Sequence, residues 1–104
     1  MHMLKAVRYE VENKGILTAV DDYFNDNTAF GLVFYFEDEL PGPNIDMHNT
    51  KSYFTMRGNR KFKKAIRKLI VAYQSKGLRV NRIEKEIPED AVLYKDIFQI
   101  VVAS

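Results

Sequence analysis

The 104-residue chain contains no cysteine. That excludes disulfides, thiolate chemistry and cysteine-based zinc sites, and it fits a reducing cytoplasm. Histidine is nearly as scarce. His2 lies in a Met-His-Met start that reads as a cloning remnant, which leaves His48 as the single candidate. One histidine gives little scope for Ser-His or Cys-His nucleophilic catalysis. Glycine occupies five positions, none of which forms a Walker loop or a Gly-x-Gly-x-x-Gly cradle for phosphate. Long apolar runs are missing too. The longest uncharged one, "TAFGLVFYF" at residues 28–36, falls well short of the roughly 20 residues a membrane-spanning helix needs. Lys5, Arg8, Glu10 and Glu12 interrupt the region where the apolar core of a signal peptide would lie, so no leader is expected. No internal repeat, low-complexity tract or interdomain linker is visible. These absences predict a cytoplasmic, non-enzymatic protein with no cofactor, no small-molecule substrate and no membrane contact. One α+β domain is expected over residues 3–104.

Hydrophobic residues make up 46% of the chain, enough for a conventional core. "LKAVRYEVE", residues 4–12, is rich in strand formers. Met3, Val7, Tyr9 and Val11 recur at period two and define one face. "ENKG", residues 12–15, fits a tight hairpin loop with Gly15 supplying the positive φ. "ILTAVDDYF", residues 16–24, is ambiguous. Ile16, Ala19, Val20, Tyr23 and Phe24 match a helical stripe, but Asp21, Asp22 and Asp26 would crowd the C-terminal end of such a helix, where anions are disfavoured. It is read as a strand, followed by a turn at residues 25–27. "TAFGLVFYFED", residues 28–38, has no alternation and reads as a central strand covered on both faces. Residues 37–49 form a loop around Pro41, Gly42 and Pro43, and residues 52–56 a short strand.

The stretch "NRKFKKAIRKLIVAYQSKG", residues 59–77, reads as one long helix, with Asn59 as N-cap and Gly77 as its left-handed end. At about 100° per residue, Phe62, Ile66, Leu69, Ile70 and Tyr73 share one arc, opposite Arg60, Lys61, Lys63, Lys64, Arg67 and Lys68. Two strands follow, residues 78–87 and 91–102, joined by "PED". In the second, Val92, Tyr94, Phe98, Ile100 and Val102 line one face and Asp96 interrupts it. The expected architecture is a mainly antiparallel sheet, with an N-terminal β-meander and a C-terminal β-hairpin, packed against one long amphipathic helix. If residues 16–24 were helical, a ferredoxin-like βαββαβ order plus a C-terminal strand would result.

The net charge of +2 conceals a segregation. Residues 1–56 hold four basic and nine acidic groups. Residues 57–85 hold eleven basic groups against Glu84 alone, and residues 86–104 hold Lys95 against four acids. Cations crowded into the first turns of a helix oppose its dipole, and like charges at i,i+4 repel by a few tenths of a kcal/mol each. A bound anion reverses both terms. Arg57, Arg60, Lys61, Lys63, Lys64, Arg67 and Lys68, extended by Arg79 and Arg82, are therefore the candidate surface for nucleic-acid backbone or another polyanion. The alternative is an accessory protein of the phage or mobile-element kind that inhibits or adapts a host protein. Its acidic partner would meet this face, or its basic partner the Glu37–Asp38–Glu39 loop. Val71, an apolar residue inside the charged field, suits a protein interface. Homo-oligomerisation is left open. Asp46 and His48 form a weak metal pair, and the acidic pairs Asp21–Asp22 and Glu37–Glu39 converge poorly on neighbouring strand positions.

Overall fold

Strand β1, Met3–Val11, organises the domain. The computed structural model describes residues 2–25, 27–40, 42 and 44–104, with the backbone alone at residues 27–30, 34 and 37. Val7, Tyr9 and Val11 are buried on one face of β1, as their period-two spacing predicts. A two-residue turn at Glu12–Asn13 leads into β2, Lys14–Gly15, with Val11 opposite Lys14. The positive φ expected of Gly15 falls instead on its neighbours in the turn. Glu12 and Asn13 carry the positive φ, at 49° and 67°, and Gly15 sits in the strand. A type I′ turn needs positive φ at both central residues, and these two are Glu12 and Asn13.

Residues 16–24 do not continue the sheet. Ala19 donates its N–H to the Gly15 carbonyl at 3.0 Å, and a single helical turn, α1, spans Val20–Tyr23. The helical stripe prevails because the helix starts later than the stripe does. Asp21 and Asp22 then fall in its first turn, where the dipole favours anions. Residues 28–38 also depart from expectation: the structure has helix α2 over Asn27–Glu39. An unbroken apolar run is compatible with a buried strand or a buried helix. Leu32, Val33, Phe36 and Leu40 pack on the core while Gly31 and Tyr35 are exposed, and adjacent Leu32 and Val33 share a side only on a helix. The loop accordingly begins at Leu40 rather than Glu37, and Pro41 and Pro43 lie outside the described residues, as does Asp26 of the expected turn.

β3 spans Thr50–Thr55, followed by α3, Met56–Lys61, and α4, Lys63–Ser75. β4, Asn81–Pro88, does not form a hairpin with the next strand. It returns to β1 and pairs along its length, from Met3↔Pro88 to Glu10↔Asn81. The C-terminal hairpin is made instead by β5, Val92–Lys95, and β6, Gln99–Ala103. Asp96 makes that turn. Its carboxylate accepts the Phe98 N–H at 2.8 Å, the Gln99 N–H at 3.0 Å and the Tyr94 hydroxyl at 2.7 Å. The apparent interruption of one strand is the corner between two.

The result is an α+β domain with a curled antiparallel sheet. In it β1 lies between β4 on one side and β2 and β3 on the other, and β6 then β5 continue beyond β3. It is neither a meander nor the ferredoxin-like order. Helices gather on the face of Val7, Tyr9, Val11 and Phe54. There Phe36, Phe54 and Phe62 pack with ring centroids 5.2–6.1 Å apart. Residues from the strands alone, Ala6, Tyr53, Ile87, Ile100 and Val102, bury a second cluster on the other face.

Candidate nucleic-acid interface

Residues 56–75 form a nearly continuous rod, irregular at Phe62. The Phe62 N–H still reaches the Gly58 carbonyl at 3.0 Å, and Ile66 N–H reaches Phe62 O at 2.9 Å. The rod starts four residues earlier than its sequence suggests. Thr55 caps it, its hydroxyl oxygen accepting the Gly58 N–H at 2.9 Å and its hydroxyl donating to Ile97 O at 2.7 Å. Asn59 has another role. Its side-chain oxygen accepts the Tyr9 hydroxyl at 2.6 Å and ties α3 to the sheet. The far end is as expected. Gly77 has φ +79°, its N–H reaches Gln74 O at 2.9 Å, and Leu78 N–H reaches Tyr73 O at 3.2 Å. This bond pair is a Schellman end.

Gly58 explains how the rod seats. A Cβ built on it would lie 2.1 Å from the Phe98 carbonyl oxygen, so only glycine allows α3 this close to the β5–β6 turn. Phe62 then inserts its ring among Phe36, Phe54 and Phe98. Ile66, Leu69 and Tyr73 continue the buried stripe. Once these are fixed, the opposite side of α4 must face solvent. Lys63, Lys64, Arg67, Lys68, Val71, Gln74 and Ser75 are all exposed, on an arc of about 140° at 100° per residue. Val71, at 57% exposure, stands within that field.

The nine candidate cations do not share one fate. Arg57, Arg60, Lys61, Lys63, Lys64, Arg67, Lys68, Arg79 and Arg82 are all exposed. Two are engaged. Lys61 lies 3.8 Å from a Glu39 carboxylate oxygen and 5.2 Å from the Phe98 ring centroid. Arg82 donates to Glu84 at 2.9 Å, and Glu84 also meets Lys5 at 3.2 Å. The hydrogen bond to Glu84, then that to Tyr9, raises the pKa of Arg82. Hydrogen bonds from Arg82 and then Lys5 hold the Glu84 carboxyl below its ordinary value. Among the described residues, no carboxylate lies within ion-pair distance of the other seven. The four on α4 form two parallel i,i+4 rows, Lys63–Arg67 and Lys64–Lys68, with no internal counter-charge.

The other candidates have local roles. Asp46 accepts the His48 backbone N–H at 2.9 Å, a turn contact. Asp22 pairs with Lys14. Among the described residues no group of three or more His, Asp or Glu side chains is placed to hold a metal ion, and no helix is long and apolar enough to cross a membrane. No family model, curated protein or solved structure matches the chain.

Proposed function

We propose that this domain is a non-enzymatic binding module whose α3–α4 surface contacts nucleic-acid backbone with little sequence specificity. The observation that supports it most is the set of seven exposed cations with no carboxylate partner among the described residues. Of the acids in its first 56 residues whose side chains are described, Glu39 alone reaches the strip, at Lys61. Repulsion along the two α4 rows costs a few tenths of a kcal/mol per pair, and Arg57 also opposes the dipole in the first turn of the rod. Phosphates docked along the rod relieve both, and the released counterions add a favourable salt-dependent term. The exposed aromatics needed to stack unpaired bases are sparse. Tyr35, at 42%, is the one large aromatic among the exposed described hydrophobics. That favours backbone contact over base readout.

The experiment is fluorescence anisotropy with labelled duplex DNA, single-stranded DNA and RNA from about 50 to 200 mM salt. Binding at low salt that weakens by orders of magnitude across this range is the expected result. No binding to any of them at the lowest salt removes the proposal. It would leave the exposed Val71 and its cationic surround as the contact for an acidic protein, the kind an inhibitor or adaptor would meet.

A further inference from the structure

The sheet is incomplete beside β3. β1 and β3 pair only at Ala6↔Thr55 and Val7↔Phe54, although β3 pairs with β6 from Thr50 to Phe54. Beyond Val7, β2 takes the edge of β1 through Glu10↔Gly15 and Val11↔Lys14, and Ile16 N–H reaches Tyr9 O at 3.1 Å. β3 therefore diverges from β1, and a cleft of about 500 Å³ opens between them.

Strand alternation decides what faces this cleft. The Tyr9 carbonyl points toward β2, so Val7, two residues earlier, directs its N–H and C=O toward β3. Val7 faces Phe54, and at steps of two along β3, Ser52 and Thr50 direct their backbone groups the same way. The Arg8 guanidinium agrees with that geometry, donating from Nη1 to Ser52 O at 3.0 Å. Among the described residues no strand stands opposite the Ser52 and Thr50 N–H groups. Ile16, Leu17 and Leu40 supply apolar wall, and Arg8, Lys14 and Lys51 also line the cleft, with no Asp or Glu among the described residues that line it. Glu10 holds Arg8 at 2.6 Å and Asp22 holds Lys14, so the surplus charge belongs to Lys51, which is exposed and without an ion pair among the described residues.

An open strand edge, apolar walls and a net cation define a ligand class. We infer that the cleft docks an extended acidic peptide from a partner protein, which adds a strand against β3. Its backbone pairs with Ser52 and Thr50, its apolar side chains meet Ile16, Leu17 and Leu40, and a carboxylate meets Lys51. This site stands on strand register and is independent of the helical surface.

The test is an amide NMR titration of the full ¹⁵N-labelled chain with a hexapeptide of alternating glutamate and valine. Three comparisons accompany it: the same peptide N-methylated at alternate residues, a lysine–valine peptide, and the Lys51→Glu protein. The expected result is shifts at residues 14–18 and 50–54, lost with the N-methylated peptide. Lys51→Glu weakens the acidic peptide about fivefold, the scale of one exposed ion pair. No shift up to about 1 mM peptide overturns the inference. So do equal shifts with the N-methylated peptide, or shifts confined to residues 57–79. The last outcome would show acidic chains held by the helical cations instead. Equal shifts with the lysine–valine peptide would equally overturn it, since the cleft would then not select an acidic chain.

Discussion

Replacing Gly58 by alanine tests how the basic rod is held in place. The new methyl carbon would sit 2.1 Å from Phe98 O and 2.9 Å from its carbonyl carbon, both backbone atoms that no rotamer change can move. Either α3 or the β5–β6 turn must retreat. Overpacking of this kind costs about 1–3 kcal/mol. Retreat also stretches the Thr55 N–H bond to Phe98 O, 3.0 Å long, worth about 1 kcal/mol. Alanine returns about 1 kcal/mol through its better helix propensity. The net is a loss of about 1–3 kcal/mol, or a drop of roughly 5–20 °C in Tm for a domain near this size. Gly31→Ala is the internal control. Gly31 lies in α2, with nothing among the described residues within 4 Å of its would-be Cβ. The same substitution there gains about 1 kcal/mol, roughly 4–8 °C. Thermal melts followed by circular dichroism read both. A Gly58→Ala protein as stable as wild type, or more stable, would refute the close approach of α3 to Phe98 and the seating argument built on it.

Three further outcomes follow from the same geometry. Lys64→Glu places an acid four residues after Arg60 and four before Lys68, turning two repulsive i,i+4 pairs into attractive ones; it should raise stability by about 0.5–1 kcal/mol in a urea melt while weakening nucleic-acid binding. Burial, then the nearby Asp22, Tyr23 and Asp21, raises the pKa of the Tyr73 phenol, which donates to the Ile16 carbonyl. The folded state therefore keeps a proton that the unfolded chain releases near pH 10, so this contribution is intact below pH 10 and falls above it by up to about 1.4 kcal/mol per unit. Tyr73→Phe should cost about 1–2 kcal/mol at pH 7, and its deficit should shrink above pH 10 when both proteins are melted across that range. Replacing Glu12–Asn13 by Asn-Gly, which tolerates positive φ at both positions, should stabilise by about 0.5–1 kcal/mol in denaturant titrations.

The sequence shows its helical surface more clearly than its sheet. The period of Phe62, Ile66, Leu69 and Tyr73 survives the irregularity at Phe62, and the exposure of Lys63, Lys64, Arg67 and Lys68 follows from it. Gly77 ends the rod where its φ requires. Thr55 was obscured by Asn59, an equally good cap four residues on that the fold uses for Tyr9. The α2 segment reads as a strand because every position from Phe30 to Phe36 is apolar or glycine, which leaves no period to detect. The return of β4 to β1 is a choice of partner across the fold, and alternation along β4 carries no address for it. The engagement of Lys61 by Glu39 depends on α2 lying beside the rod, so a strand at residues 28–38 could not foretell it. The cleft beside β3 comes from β2 and β3 competing for one edge of β1, a contest of registers with no local signature.

The central claim is that the two α4 rows form an electrostatic surface for phosphate. The most direct measurement is the slope of log affinity against log salt for duplex DNA, with wild type beside a protein carrying alanine at Lys63, Lys64, Arg67 and Lys68. Each phosphate contact contributes about 0.9 to that slope, so removal of the four should flatten it by about 3–4 while the fold persists by circular dichroism. Identical slopes for the two proteins would contradict the account, because the rod would then carry its charge without using it.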